Sequence, residues 1–270
     1  MKYFVVDVFT DKAFGGNPAG VCLLDSWLPD ETLQNIGMEN NLSETAFLVK
    51  RDGHYDLRWF TPMIEVDLCG HATMGSAFVL FSFVETAAST LNFSTQSGTL
   101  TVERKGDMLL MNLPSRPATP VSKYKSIVNA FRIDEFDMLK SADLLVVLDN
   151  EEAVKGVAPD FEALKNVKAE AGFPDDNFGV IITAPGSDCD FVSRFFAPNC
   201  GVDEDPVTGR AHCVLTPYWS KRLGKTSMTA RQLSKRGGRL WCEDKGERVA
   251  IGGKAVLYMS GVIDEQKILL

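Results

Sequence analysis

The chain carries one structural unit twice. The segment LRWFTPMIEVDLCGHATMG, from Leu57, is echoed by SRFFAPNCGVDEDPVTGRAHC, from Ser193. Arg58, Phe60 and Pro62 match Arg194, Phe196 and Pro198 at a shift of 136 residues. A second echo, SGTLTVERKGD from Ser97 against GGRLWCEDKGE from Gly237, follows at a shift of 140 residues. Two ordered echoes at almost one offset point to a duplicated domain, and the period is too long for a solenoid. Two similar domains in one chain leave a shared cleft, the kind of place where ligands bind. The 270 residues are enough for two medium domains.

The local patterns support the duplication. In the first half KYFVVDVF, AGVCLL, ETAFLVK, YDLRWFTP, LNFST, GTLTVER and DMLLMNLP read as strands, with turns at Asp52-Gly53 and Gly106-Asp107. Pro29 to Asn40 reads as a helix with Asp30 and Glu31 in its first turn. From Gly70 the run HATMGSAFVLFSFVET is apolar nearly all round, which predicts a buried helix. The second half offers the strands ADLLVVLD, FGVIITAP, CDFVSRFFAP, GRLWCED, RVAIGG and AVLYMSGVI, and a helix over APDFEALKNV. Its counterpart of the buried helix is GRAHCVLTPYWSKRL, which Pro217 is expected to kink or shorten. Pro114, Pro117 and Pro120 mark the expected boundary, giving domains over 1–117 and 118–270, with the last strand able to pack on the first domain. The expected fold class is α+β: two pseudo-symmetric domains, each a mostly antiparallel sheet wrapped round a central helix.

Composition narrows the function classes. A net charge of −8 argues against nucleic acid as the main partner, since phosphate binding wants a basic face. A small anionic substrate stays possible, because a local site can be positive on an acidic protein. The longest apolar stretch, Ala77 to Val84, is too short to cross a membrane. The opening MKYFVVDVFTDKAFGG lacks a secretory cleavage pattern, so a cytoplasmic location is expected. The six cysteines lack framework spacing and read as reduced thiols.

The candidate chemistry lies where loops run into the two central helices. DLCGHATMG and DEDPVTGRAHC hold equivalent places in the two halves. A helix start presents unpaired N–H groups and a positive dipole end, which favour an anion. Gly70 and Gly209 can serve such sites or merely permit tight turns. His71 can donate a proton or a hydrogen bond to a substrate, or simply bond backbone at the helix start. His54, in a hairpin, is expected at the surface. His212 and Cys213 are adjacent, but no second ligand pair at metal spacing follows, so no metal site is read there. Glu44, in NNLSETAFLV, opens a strand and can point into a cleft with its pKa raised by partial burial, or stand solvated at the strand end. Asp205, before Pro206, is a helix cap or an acid/base partner for Glu44. Cys69 is an inert buried thiol or a base favoured by the helix end. No phosphate loop, dinucleotide fingerprint, nucleophile elbow or HExxH motif is present, and AFGGNPAG lacks the spacing of a nucleotide site. Chemistry without a cofactor is the simpler reading.

The segments VDVFTDKAFGGNPAGVCLL, NLSETAFL, RWFTPMIEVDLCGHATMG, FFAPNCGVDEDPVTGRAHCVLTPYW and RQLSKRGG together resemble the phenazine-biosynthesis PhzF-like isomerase family, within the diaminopimelate-epimerase fold group. The resemblance implies cofactor-free proton transfer on a small carboxylate-bearing substrate, a site between two domains, and a homodimer. It assigns the proton shuttle to Glu44 and supporting roles to His71 and Asp205. It implies that backbone amides over Gly70, His71, Ala72 and Thr73 and over Thr208, Gly209 and Arg210 hold substrate oxygens, with Asn17 lining the same site. Arg210 stands where the family usually has a small serine. Its guanidinium could clamp a carboxylate or narrow the pocket. Cys69 matches the first catalytic thiol of the epimerases, but no equivalent second thiol precedes Cys213, so a Glu/Asp shuttle is preferred. The alternatives are an amino-acid epimerase using Cys69 and a ligand-binding protein of the same fold without turnover.

Overall fold

The computed structural model describes residues 1–264 and Ile268. In chain order the elements begin with β1 (Lys2–Val8), β2 (Asn17–Leu24), α1 (Asp30–Asn40), β3 (Glu44–Lys50), β4 (Tyr55–Phe60) and the short β5 (Glu65–Val66). They continue with α2 (Gly70–Phe83), β6 (Thr90–Thr95), β7 (Gly98–Lys105) and β8 (Met108–Pro114). The second stretch holds β9 (Thr119–Pro120), α3 (Lys125–Phe131), β10 (Asp137–Lys140) and β11 (Leu144–Val147). Three short helices follow, α4 (Glu151–Gly156), α5 (Phe161–Lys165) and α6 (Val167–Ala171), and then β12 (Val180–Pro185) and β13 (Phe191–Phe196). The chain ends with α7 (Gly209–Leu223), β14 (Ser227–Gln232), β15 (Gly238–Asp244), β16 (Arg248–Gly253) and β17 (Ala255–Val262). Contacts divide these into two compact units, Met1–Leu113 with the segment from Ala250 onward, and Pro114–Val249.

In the first unit β1, β2 and β3 are buried on both faces. Their nearly continuous apolar runs follow from helices covering both sides. On one side α1 buries Leu33 and Ile36 among Tyr3, Val5, Cys22, Leu24, Phe47, Val49 and Phe60. On the other lies α2, which touches β1, β2, β3, β7 and β17 and is buried at ten positions. Its fit on the sheet is close: a Cβ on Gly75 would come 3.3 Å from Ala19 Cβ and 3.4 Å from Val8 Cγ2. By contrast β6 alternates, with Leu91 and Phe93 buried between exposed neighbours, as a strand with one wet face must. β17 pairs antiparallel with β1.

The second unit repeats the order of pairings. In the first, β1–β2 is antiparallel, β2–β3 parallel, β3–β4 antiparallel, β4–β6 parallel and β6–β7 antiparallel. In the second, β10–β11, β11–β12, β12–β13, β13–β14 and β14–β15 alternate in the same way. Each parallel pair spans a helical crossover, and α7 takes the crossover that α2 takes in the first unit. Trp219 anchors α7: its indole N–H donates to Thr183 Oγ1 at 3.0 Å, and its ring stacks on Phe191.

Pro217 neither ends nor shortens α7, which runs through it to Leu223. A proline cannot donate to the carbonyl four residues back. That carbonyl, of Cys213, instead accepts the backbone N–H of Arg116 at 2.9 Å. Four further elements differ from the sequence expectations. Helix α3 and strand β10 lie in a stretch read without structure. β14 was also missed because its inward residues are Met228, Ala230 and the polar Gln232, too few apolar positions to show a period. The helix expected over APDFEALKNV is two short helices joined at Asn166. Among the described residues no helix is long and apolar enough to cross a membrane.

Candidate active site

Four expected residues converge within the first unit. Gly16 has φ +62°, and a Cβ there would lie 2.0 Å from the carbonyl oxygen of Val8. Only glycine fits this close turn, which sets Asn17 opposite Val8 at the start of β2. Asn17 is fully buried. β3 runs parallel beside β2 and begins with Glu44 against Ala19. The loop entering α2 then delivers Cys69 and His71.

His71 is the centre of this group and only 5% exposed. Its Nδ1 lies 3.3 Å from Asn17 Nδ2 and 3.5 Å from Cys69 Sγ. Its Nε2 lies 3.2 Å from Glu44 Oε2. The amide NH₂ of Asn17 can only donate, so Nδ1 accepts and the ring proton sits on Nε2, facing Glu44. Burial pushes the imidazole pKa down to about 3, so it stays neutral near neutral pH. The Glu44 side chain is 20% exposed, so the carboxylate joins a dry imidazole to solvent.

The start of α2 adds donors. No acidic side chain stands in its first turn, and no side chain caps it. Thr73 gives both its N–H (3.3 Å) and its hydroxyl (2.6 Å) to the carbonyl of Cys69. The first-turn amides of Gly70, His71 and Ala72 therefore lie at the positive end of the helix, without a place in its internal ladder. The side chains of Ala72 and Thr73 are buried, so only backbone could serve a ligand there.

The other expected residues belong to the second unit. Asp205 donates its N–H to Phe195 O at 3.0 Å, and its carboxylate accepts the hydroxyl of Thr208. Buried Gln232 holds this turn: Oε1 accepts the Thr208 N–H at 2.9 Å, and Nε2 donates to Asp205 O at 2.7 Å. The Thr208 amide, expected to hold a substrate oxygen, is thus already spent inside the protein. Gly209 and Arg210 keep their place in the first turn of α7. Arg210 does not stand ready as a substrate clamp. Its guanidinium donates to the buried carboxylate of Asp143 (3.1 Å from Nε, 3.0 Å from Nη2), to Ala142 O and to both oxygens of Asn177.

The remaining candidates are structural. Cys213 is buried in α7 with Sγ directed at Gly209 O (3.8 Å), and burial pushes its pKa up to about 12. It offers no second catalytic thiol. His212 is also buried; its Nδ1 meets Thr208 O at 2.8 Å, and its pKa is pushed down to about 4. His54 is half-exposed in its hairpin, 3.4 Å from Asp56. No metal site was expected at His212 and Cys213; among the described residues, Glu44, Cys69 and His71 form a group that could hold a metal ion, with donor atoms all within 4.8 Å of one another. Gln232 and Asp143 escaped sequence reasoning. For Gln232 the available signal was a polar residue at an inward position of an alternating strand.

Comparison with known proteins identifies the family and the fold. A family model described as phenazine biosynthesis-like protein matches residues 6–261. An uncharacterized isomerase of Pseudomonas aeruginosa is 52% identical over 263 residues, covering 97% of this chain and 98% of its own. A crystal structure of a phenazine biosynthesis PhzC/PhzF protein from Clostridium difficile superposes with a TM-score of 0.90 at 45% identity, covering 98% of this chain and 99% of its own. A structure of a predicted epimerase from Pseudomonas aeruginosa shares the fold at 19% identity, with a TM-score of 0.73 over 97% of this chain and 98% of its own. The α+β architecture is that of the diaminopimelate-epimerase-like fold.

Proposed function

The chain belongs to the phenazine biosynthesis-like protein family and is an isomerase; we propose that it moves a proton on a small carboxylate-bearing substrate without a cofactor, with Glu44 as the shuttle. The observation that carries this reading is the Glu44 carboxylate lying 3.2 Å from the Nε2 of a buried, neutral His71. Glu44 takes a proton from a carbon next to the carboxyl-bearing or unsaturated centre and returns it elsewhere on the same face. The neutral imidazole of His71, 3.2 Å from the carboxylate, limits where Glu44 can point. Electron density displaced by deprotonation collects on a substrate oxygen, and the first-turn amides of α2 are suited to meet it. Fixed donors of this kind are commonly the largest contribution to such a barrier.

Asp205 and the first turn of α7 are assigned to the same substrate. That assignment rests on the internal repeat, which gives the two loops equivalent places in their units. Cytoplasmic action and a homodimer are part of the proposal and come from the family. A solution mass equal to one chain by light scattering would remove the dimer. A second reading, with the Cys69 thiol as base, is favoured by its 3.5 Å approach to His71 Nδ1. Cys69→Ala separates the two, since a carboxylate shuttle survives loss of the thiol.

The test is deuterium uptake in D₂O, followed by NMR on a panel of dihydroaromatic carboxylates and amino acids. Wild type should label its substrate. Glu44→Gln should lower the rate by about 10²- to 10⁴-fold, the usual share of a positioned acid/base group. Labelling by the folded Glu44→Gln variant at the wild-type rate overturns the assignment.

A further inference from the structure

We propose that Glu44, Cys69 and His71 together form a Zn²⁺ site, through which zinc inhibits the protein. The three side chains offer one oxygen, one sulfur and one nitrogen donor, all within 4.8 Å of one another. Such a mixed set suits zinc; magnesium and calcium prefer oxygen donors alone. A four-coordinate zinc with bonds of about 2.0–2.3 Å holds its ligand atoms roughly 3.3–3.8 Å apart. Glu44 Oε2 already lies 3.2 Å from His71 Nε2, so the closing of about 1 Å at the widest falls to the Cys69 side chain, by a change of rotamer. The fourth position would go to water.

An independent observation singles out the imidazole. Nε2 of His71 is buried and, among the described residues, makes no hydrogen bond. It faces Glu44 Oε2 at 3.2 Å without the alignment that a hydrogen bond requires. A buried ring nitrogen left in this state, aimed at a carboxylate and two residues from a thiol, is placed for a metal.

The proton inventory closes. When zinc bonds Nε2, the ring proton moves to Nδ1. Turning the Asn17 amide end for end presents Oδ1 to accept it, the outer partner that metal-bound histidines commonly have. The Cys69 thiol gives its proton to solvent as the Zn–S bond forms. Glu44 binds as the carboxylate. With zinc in place Glu44 and His71 can no longer handle a substrate proton. That consequence rests on the shuttle reading of Glu44; the binding does not.

The experiment is a Co²⁺ titration of the reduced, chelator-treated chain. Cobalt should saturate at one ion per chain, with the visible bands of a tetrahedral site and an ultraviolet thiolate-to-cobalt band, both bleached by Zn²⁺. Cys69→Ala should lose the thiolate band. Cys200→Ser, which removes an exposed thiol elsewhere, should keep it. Asn17→Ala should keep the band but weaken zinc binding by about 10- to 100-fold, as loss of an outer-shell partner does. Circular dichroism confirms that each variant is folded. Absence of a thiolate band in wild type, or its persistence in Cys69→Ala, overturns the site. A site that fills with zinc while deuterium exchange continues unchanged would leave the site standing and remove Glu44 as shuttle.

Discussion

Acidification from about pH 7.5 to about pH 5 should weaken the fold through two buried histidines. Burial holds the folded pKa of His71 at about 3 and that of His212 at about 4. In the unfolded chain an imidazole titrates at about 6.5. The folded values are depressed, so the unfolded state binds the extra protons as pH falls. The stability tied to neutral imidazole is therefore complete above about pH 6.5 and is lost progressively as pH drops toward the folded values. At about pH 5, roughly 1.5 pH units below the unfolded pKa, each ring costs about 2 kcal/mol at about 1.4 kcal/mol per unit. The pair costs about 4 kcal/mol, a large share of the 5–15 kcal/mol that typically holds a domain. Each unit carries one such ring, so separately resolved transitions should each lose about half of the total. The assay is urea unfolding at both pH values, comparing midpoints at constant slope. His212→Asn keeps a donor toward Thr208 O, where the ring now places Nδ1, and removes the titrating group. It should lose about half of the pH effect. Equal midpoints at the two pH values, or a full pH effect in His212→Asn, would refute the reasoning.

Two further substitutions test how the turns are held. Arg210→Ser removes the charged partner of the wholly buried Asp143 carboxylate. It should cost about 2–4 kcal/mol in chemical denaturation, somewhat under the full cost of stranding a buried charge because Arg210 is partly exposed; Arg210→Lys should rescue little, since it lacks the planar fork. A loss below about 0.5 kcal/mol, the ordinary surface value, would show that the ion pair is idle. Gly16→Ala should lower the melting temperature of the chain, because φ +62° and the 2.0 Å approach to Val8 O both exclude a side chain. An unchanged melting temperature would mean that the turn before Asn17 is looser than its geometry indicates.

The parts of this protein legible in its sequence are those whose cause is local. The helix α2 announces itself because a helix covered on every side must be apolar all round, and α7 keeps its length despite Pro217. β3 is readable from its apolar run, β4 from its alternation, and their pairing from Asp52-Gly53, since a hairpin is specified within a dozen residues. Glu44 and His71 could be nominated one by one, but their meeting depends on the parallel register of β2 with β3 and on the seating of α2 against them. No spacing rule joins Glu44 to Cys69 and His71, which are brought together by β3 and the start of α2. The second unit shows the same limit more sharply. β14 has too few apolar residues to reveal its period, and so the role of Gln232 in holding Asp205 and Thr208 stayed hidden. Arg210 is the clearest case. The expectation was a clamp on a substrate carboxylate or a narrowed pocket; the guanidinium instead engages a carboxylate of the protein itself. The sequence could not say which. The partner is Asp143, 67 residues away and wholly buried, where desolvation makes an unpaired carboxylate far more costly than one in water. A charge already inside the protein outcompetes a ligand for the same donor, so this arginine belongs to the scaffold of the α7 start.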